Sequence, residues 1–302
     1  MQTISIIIRV LFMIDPSWIV EIRTDFLTTI FKLFPFFASD YFYITLTALG
    51  YWLNPSALLF RSLGFLIPFC TLLNCLLKNL FKISRPDISL HLISVYDPFG
   101  FPSGDVQVAT TFWLAIFLSL KNSPFKYLCL LPIIGIGFSR VYLGVHSIYD
   151  VIGGLIFGFC VFHIWKTYLE RALLVEVFQH SCKKFWFLLA IIISLYTRVS
   201  QSLPWSPMIP MAIGALIVFG LSLRWIENQA ISRLQHKISI PTALISLAIL
   251  IGIAKFIPTV KINIFIFYCS IILKYSVLVF GIFVLIPSTI SKITRSNKID
   301  IL

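Results

Sequence analysis

Long apolar segments separated by short polar connections run along almost the whole chain. A helix that crosses a bilayer needs about 20 mostly apolar residues. Segments approaching this length predict eight or nine spans, at approximately 41–54, 57–77, 105–120, 125–140, 149–168, 185–200, 207–223, 240–257 and 265–287. The first two meet at Asn54-Pro55, a dipeptide that favours a turn between two helices. The pattern therefore predicts an all-α, polytopic integral membrane helical bundle.

Composition agrees with a chain that lies in the bilayer. Of its 302 residues 59% are hydrophobic and only 12% are charged, whereas soluble domains carry about 25% charged residues. The net charge of +12 comes from basic residues scattered between apolar segments. This scatter is typical of charges that flank membrane helices, so we expect the bilayer, and no nucleic acid, as a partner.

The distribution of Lys and Arg predicts the orientation of the chain. If the spans alternate, one membrane face holds most of them, in the connections near residues 121–126, 166–184, 224–237 and 292–298. The positive-inside rule makes that face cytoplasmic. The opposite face, which includes Lys78, Arg85 and Arg140, is then extracytoplasmic.

Chemically specific connections are confined to the first part of the chain. They lie between residues 78 and 150, whereas the chain beyond about residue 180 consists of apolar segments with few distinctive polar positions. We therefore predict a membrane core over residues 1–180 and additional transmembrane helices of unknown role over 181–302.

Three stretches carry most of the unusual polar residues, and antiparallel spans would bring all three to one face. They are K-NLFKIS-R-P at 78–86, P-S-G-D at 102–105, and S-R-VYLGV-H-SIY-D at 139–150. Lysine and arginine bind phosphate oxygens, arginine bidentately. A Pro-Ser-Gly turn at the start of a helix adds hydroxyl and backbone N–H donors. The combination predicts a phosphate site formed by Lys78, Arg85, Ser103, Gly104 and Arg140.

His146 and Asp150 supply a candidate nucleophile and its partner. Their spacing of four residues lets the carboxylate accept the imidazole N–H on one helical turn. An oriented imidazole beside bound phosphate can form a phosphohistidine, which water then hydrolyses. Fixed cations would stabilise the phosphoryl oxygens, so we expect neither a metal nor a cofactor. Each piece alone also has an ordinary structural explanation, but their joint occurrence favours a catalytic site.

These residues closely resemble the type 2 phosphatidic acid phosphatase superfamily. Its motifs are K-x6-R-P, P-S-G-H and S-R-x5-H-x3-D. The positions that match are Lys78, Arg85, Pro86, Pro102, Ser103, Gly104, Ser139, Arg140, His146 and Asp150. The resemblance covers roughly residues 40–170, and the context YDPFGFPSGDVQ is similar to a bacterial branch of the superfamily.

The resemblance implies a core of six membrane helices and hydrolysis of a lipid phosphate or diphosphate. It implies His146 as nucleophile, Asp150 as its orienting partner, and the residues of the phosphate site as substrate ligands. The bacterial branch implies the inner membrane as the location.

Asp105 departs from the family, which has a histidine here that protonates the leaving oxygen. Aspartate, with a usual pKa of about 3.9, is ionised near neutrality and has no proton to donate. Losing a general acid typically costs about 10²–10⁴-fold in rate. A lipid monophosphate displaced from a diphosphate leaves without a proton, so we expect a diphosphate lipid, such as a polyprenyl diphosphate, to tolerate Asp105 best.

Other functions stay open at this point. Another group, such as His91, could supply the acid. The chain could be a catalytically weakened protein that binds or senses a lipid phosphate, or a phosphotransferase that uses the same first half-reaction. A transporter is less favoured, because ionisable residues deep in the spans are few: Arg61, His163 and Lys274.

Overall fold

The computed structural model describes residues 18–54, 58–95, 97–121, 123–169, 208–233 and 239–290. Over these ranges the chain is helical, and its extended structure is limited to an isolated antiparallel bridge between Ser84 and Phe99. The α-helices are α1 (Trp18–Glu21), α2 (Asp25–Phe37), α3 (Asp40–Leu53), α4 (Leu58–Phe81), α5 (Gly104–Ser119), α6 (Leu130–Tyr142), α7 (Ile148–Ile164), α8 (Met208–Arg233), α9 (Ile240–Phe256) and α10 (Ile264–Phe280). The predicted all-α class is confirmed.

Several of these helices are candidates to cross a membrane. Four are long and apolar enough: Leu58–Phe81, Pro124–Tyr142, Ile148–Thr167 and Phe265–Ile290. Three shorter apolar helices, Gly104–Ser119, Met208–Ser222 and Ile240–Phe256, coincide with further predicted spans. The predicted division at Asn54-Pro55 is also found, because α3 ends at Leu53 and α4 begins at Leu58. The predicted span at 185–200 lies outside the described residues.

Helix α2 was not among the predicted spans. Thr24 caps its N-terminus by accepting a hydrogen bond from the Leu27 N–H. The helix packs along α6, where the buried Ser139 hydroxyl donates to the carbonyl of Phe31 (2.8 Å). Helix α2 therefore fixes the helix that carries the Ser-Arg motif.

The contacts divide the chain into two compact units that do not follow chain order. The first contains residues 1–42, 73–169 and 193–206, and the second contains 43–72, 170–192 and 207–302. All three motifs lie in the first unit. The boundary predicted near residue 180 falls outside the described residues and stays a prediction.

Helices α5 and α7 of the first unit pack at close range because glycines line the contact. A Cβ on Gly154 would lie 2.7 Å from the Ser103 carbonyl, and one on Gly158 would lie 2.6 Å from the Gln107 carbonyl. The Thr111 hydroxyl also donates to the Gly158 carbonyl at 3.0 Å. Small residues let backbones approach in membrane helices, and here they bring the start of α5 beside the start of α7.

The second unit is formed around α10, which packs against α8 and α9. Gly214 allows close approach, since a Cβ there would lie 2.6 Å from the Ile272 carbonyl. The indole of the buried Trp52 donates to the Ile282 carbonyl at 2.9 Å.

Candidate active site

Lys78 lies in the last turn of α4 and is only 5% exposed. Its ammonium contacts the Asp97 carboxylate at 2.5 Å and donates to the Phe99 carbonyl at 3.0 Å. The chain leaves the helix through Lys82 in the left-handed region (φ 51°). The bridge between Ser84 and Phe99 then holds the two ends of the following connection together. This connection brings Asp97 back to the end of α4.

Arg85 links this connection to His146. Its Nε donates to the Asp97 carbonyl (2.5 Å) and its Nη1 to the Val145 carbonyl (2.8 Å). The same Nη1 lies 3.0 Å from Nε2 of His146. A guanidinium can only donate, so Nε2 has to accept and carries no proton. In this tautomer the proton of the neutral ring is on Nδ1.

His146 is buried, with 2% of its surface exposed. Its Nδ1 lies 3.4 Å from Oδ2 of Asp150, within ion-pair range but beyond good hydrogen-bond geometry. Burial is the largest influence and lowers the pKa of His146 from 6.5 to about 4, against the opposing effect of Asp150. The ring is therefore neutral at pH 7, as a nucleophile must be.

Asp150 approaches His146 by a different route from the one predicted. The two residues do not share a helical turn, because His146 precedes Ser147, the N-cap of α7. A capping box fixes the carboxylate: the Ser147 N–H donates to Oδ2 at 2.8 Å, and the Asp150 N–H donates to the Ser147 hydroxyl at 3.2 Å. The Asp150 carbonyl also accepts from the Ser103 N–H (2.9 Å), which joins the second and third motifs.

Ser103 and Gly104 form the N-terminus of α5. Ser103 is fully buried, and its hydroxyl has no hydrogen-bond partner among the described residues. Free N–H groups at a helix start favour an anion. Asn74 supports the turn by donating to the carbonyl of Pro102 (3.1 Å) and to the side-chain oxygen of Gln107 (2.8 Å). A Cβ on Gly104 would lie 2.8 Å from the Asn74 oxygen, so a larger residue would displace this support.

Asp105 forms an ion pair with Arg140, the third cation of the predicted phosphate site. Its Oδ2 lies 2.9 Å from Nη1 of Arg140, whose side chain is 7% exposed against 32% for Asp105. An opposite charge at this distance favours the ionised carboxylate. Nε of Arg140 is buried without a hydrogen-bond partner in the described part of the chain.

The structure brings all eight predicted site residues into one region of the first unit and adds an unpredicted acidic residue, Asp97. The region contains three cations, Lys78, Arg85 and Arg140, and an equal number of carboxylates. The carboxylates are those of Asp97, Asp105 and Asp150. With His146 neutral, the formal charges of the cations and the carboxylates cancel. Among the described residues no group of three or more His, Cys, Asp or Glu side chains could hold a metal ion.

Two residues with structural roles in the site were missed from sequence. Asp97 stands in YDPFG, which matches none of the three motifs, and Asn74 stands within an apolar span. A polar side chain inside a predicted span could have identified Asn74, because such groups need a buried partner. Nothing in the spacing of Asp97 indicates its contact with Lys78.

Comparison with known proteins places the three motifs in one family. Residues 59–174 match the PAP2 superfamily, which confirms the resemblance for the segment containing all three motifs. Phosphatidylglycerophosphatase B of Bacillus subtilis (strain 168) is 35% identical over 111 residues, which cover 33% of this chain and 53% of that protein. Lipid phosphate phosphatase delta of Arabidopsis thaliana is 26% identical over 171 residues, or 50% of this chain and 41% of that protein.

The matched regions thus span about half the length, or less, of these curated relatives. No solved structure matches the chain.

Proposed function

We propose that this chain, whose residues 59–174 match the PAP2 superfamily, is a membrane phosphatase that hydrolyses a lipid phosphate or diphosphate. The chemistry would pass through a phosphohistidine on His146. The observation that carries the proposal is the contact of Arg85 with Nε2 of His146, which leaves that nitrogen unprotonated beside a cationic site. The apolar helices and the names of the two relatives support a lipid as the substrate.

The substrate phosphate binds among the three cations at the start of α5. Lys78, Arg85 and Arg140 supply charge, and Ser103 and Gly104 supply hydroxyl and backbone donors. The lone pair of Nε2 attacks phosphorus as the bond from phosphorus to the leaving oxygen breaks. Asp150 faces the protonated Nδ1 and stabilises the positive charge that develops on the ring. The fixed cations stabilise the phosphoryl oxygens, so this step needs no metal.

Asp105 suits the second half of the cycle better than the first. In hydrolysis of the phosphohistidine, a water oxygen attacks phosphorus and the P–N bond breaks, while the water loses a proton. An ionised carboxylate can accept that proton. It cannot give a proton to the first leaving group, because the ion pair with Arg140 holds it deprotonated. A leaving group that departs without a proton, such as the lipid monophosphate of a diphosphate, is therefore favoured.

Phosphate release in EDTA tests the proposal. The detergent-purified protein is given phosphatidic acid, phosphatidylglycerol phosphate or undecaprenyl diphosphate. We expect release by the wild type and a loss of about 10³-fold or more in His146→Ala, as for removal of other nucleophiles. His163→Ala is the matched control, since that histidine is exposed on α7 and stacks on Phe159. Unchanged release by His146→Ala would overturn the mechanism.

Asp105→His tests the choice of leaving group. Restoring a general acid should raise the rate on phosphatidic acid by about 10²-fold or more, and that on the diphosphate much less. An equal response of both substrates would contradict the leaving-group explanation.

One observation favours a second candidate, a lipid-phosphate binding or sensing protein. Asp105 stands where the family has its general acid, and the ion pair with Arg140 keeps it ionised, so it has no proton for a leaving oxygen although the other residues of the phosphate site are present. A silent wild type with an active Asp105→His variant would support this alternative.

A further inference from the structure

A second cavity lies beside the phosphate site in the first unit. Its volume is about 780 Å³, and it is formed by the connection that follows α4. Its lining includes Ser84, Arg85, His91, Ser94 and Asp97 together with aliphatic and proline side chains. Arg85 and Asp97 also belong to the phosphate site, whereas the other three polar residues match none of the family motifs. The two sites therefore share a wall.

This wall is fixed with respect to the candidate nucleophile. Leu92 and Val95 line the cavity and pack against the buried cluster of Tyr142, Leu143 and Val145, directly before His146. The Leu92 N–H also donates to the Leu143 carbonyl at 3.0 Å. Arg85 then spans from the cavity to Nε2 of His146. A group in this cavity would lie next to a phosphate bound at His146.

The polar lining is mixed in character and carries no net charge. The guanidinium of Arg85 is matched by the carboxylate of Asp97. Nε2 of His91 lies 3.2 Å from the Pro86 carbonyl, which can only accept, so Nε2 is protonated. The neutral ring therefore offers Nδ1 as an acceptor, and burial lowers the pKa of His91 so that the ring stays neutral near pH 7.

Donors are available beside these acceptors. Nε and Nη1 of Arg85 make its hydrogen bonds within the described residues, so the two N–H groups of Nη2 are left to be shared by the substrate phosphate and a group in the cavity. The exposed hydroxyls of Ser84 and Ser94 can both donate and accept. A second phosphate would meet the Asp97 carboxylate, which already pairs with Lys78, and a single cation, Arg85, which is shared with the first phosphate site. Hydroxyl groups would find neutral donors and acceptors in Ser84, His91 and Ser94.

We infer that this cavity is a subsite for an uncharged, hydroxyl-bearing group, of the glycerol or sugar class, bound next to the substrate phosphate. The inference rests on the proposed function, because the phosphate is what brings the group to the cavity. The connection lies outside the apolar helices, where head groups and water-soluble alcohols have access.

Such a group could come from two sources with the same chemistry. It could be the head-group alcohol that leaves from a phosphomonoester lipid. It could instead be an acceptor whose hydroxyl oxygen attacks the phosphohistidine, with cleavage of the P–N bond and transfer of the hydroxyl proton to Asp105. The product would then be a new phosphate monoester. With a diphosphate donor the hydroxyl-bearing group has to be the acceptor.

His91→Phe tests the subsite in the full-length protein in detergent. One arm compares kcat/KM for phosphatidylglycerol phosphate and for phosphatidic acid of the same acyl chains. The other arm adds glycerol to the phosphatidic acid or diphosphate reaction and measures the ratio of glycerol phosphate to inorganic phosphate. His91→Gln, which keeps a donor and an acceptor, should retain most of the wild-type ratios, and His163→Phe is the matched control.

We expect His91→Phe to lower one of the two ratios about tenfold, the loss of roughly one well-made hydrogen bond to a ligand. A fall in the kcat/KM ratio identifies the head group, and a fall in the product ratio identifies an acceptor. Ser94→Leu, which replaces a polar lining residue by a larger apolar one, should have the same effect if His91→Phe does not fold.

No change in either ratio, with hydrolysis intact, would overturn the subsite. A wild type that forms neither product would instead contradict the proposed function. In that case the subsite is tested by calorimetry, which measures the affinity of phosphatidylglycerol phosphate and of phosphatidic acid for the wild type and for His91→Phe. Equal affinity for both lipids in both proteins would overturn it.

Discussion

Each ring nitrogen of His146 is assigned by its neighbour. Arg85 can only donate, which makes Nε2 the unprotonated nitrogen, and Asp150 faces the protonated Nδ1. A carboxylate on one side and a cation on the other thus select one tautomer of a neutral ring. This selection leaves Nε2 unprotonated, as the proposed nucleophilic role requires, and burial keeps the ring neutral below pH 7.

The titration of His146 is the first prediction at this scale. Its pKa is lowered from 6.5 to about 4 by burial, so its NMR signals should stay those of the neutral ring down to about pH 5. Below pH 6.5 the unfolded chain gains a proton that the folded chain does not, and stability falls until about pH 4. Histidine-labelled protein, with His146→Ala to assign the signal, provides the measurement. A midpoint near 6.5 would contradict the burial argument.

The ion pair between Asp105 and Arg140 predicts weak binding of phosphate. Asp105→Asn removes a negative charge and frees a donor of Arg140. The inhibition constant of inorganic phosphate should therefore be at least about tenfold lower for the variant than for the wild type. Inhibition of lipid hydrolysis measures this effect. Asp25→Asn, on the exposed first turn of α2, is the charge-matched control. Equal inhibition constants for wild type and Asp105→Asn would show that Asp105 does not compete with phosphate.

The motif residues could be located from sequence because their spacing is tied to one ligand. In the proposed site, Lys78 and Arg85, or Arg140 and His146, stand at the separations of the family motifs, and each pair would reach the same phosphate. Asp97 has no such spacing, since it pairs with Lys78, 19 positions earlier in the chain. The close packing of Asn74 under Gly104 likewise appears only once the helices are in place.

At the scale of elements, the contact of α5 with α7 positions the site. Both helices begin at it, with Ser103 and Ser147 as their N-caps. The length of the apolar segments predicted the positions of these two helices well, because a helix must be long and hydrophobic to cross a bilayer. It missed α2, whose 13 residues include Asp25, Lys32 and Pro35 and leave none fully buried.

Gly158→Val tests this helix contact. A side chain there would meet the Gln107 carbonyl and Thr110, and such overpacking typically costs about 1–3 kcal/mol. The unfolding temperature in detergent should fall by several degrees, with a loss of activity. Gly252→Val on α9 is the control, because a Cβ there has no neighbour within 4 Å. Equal unfolding temperatures for the two variants would contradict the proposed contact.

At the scale of the whole molecule, the membrane orientation is a prediction from the distribution of charge. The connection of residues 82–103 should face outward and that of residues 120–129 should face the cytoplasm. Ile88→Cys and Phe125→Cys place thiols at positions that are 82% and 69% exposed. In a background without the native cysteines, a membrane-impermeant maleimide on intact cells should label position 88 and spare position 125. The reverse pattern would place the site on the cytoplasmic face.

Trapping of the covalent intermediate tests the whole proposal most directly. A lipid substrate labelled with ³²P in its terminal phosphate is mixed with the protein in EDTA and quenched in alkali, where phosphohistidine survives. We predict a label on the wild type that is stable to alkali and lost in acid, that maps to His146 by mass spectrometry, and that is absent from His146→Ala. Turnover of substrate without such a label, together with full activity of His146→Ala, would contradict a phosphohistidine phosphatase.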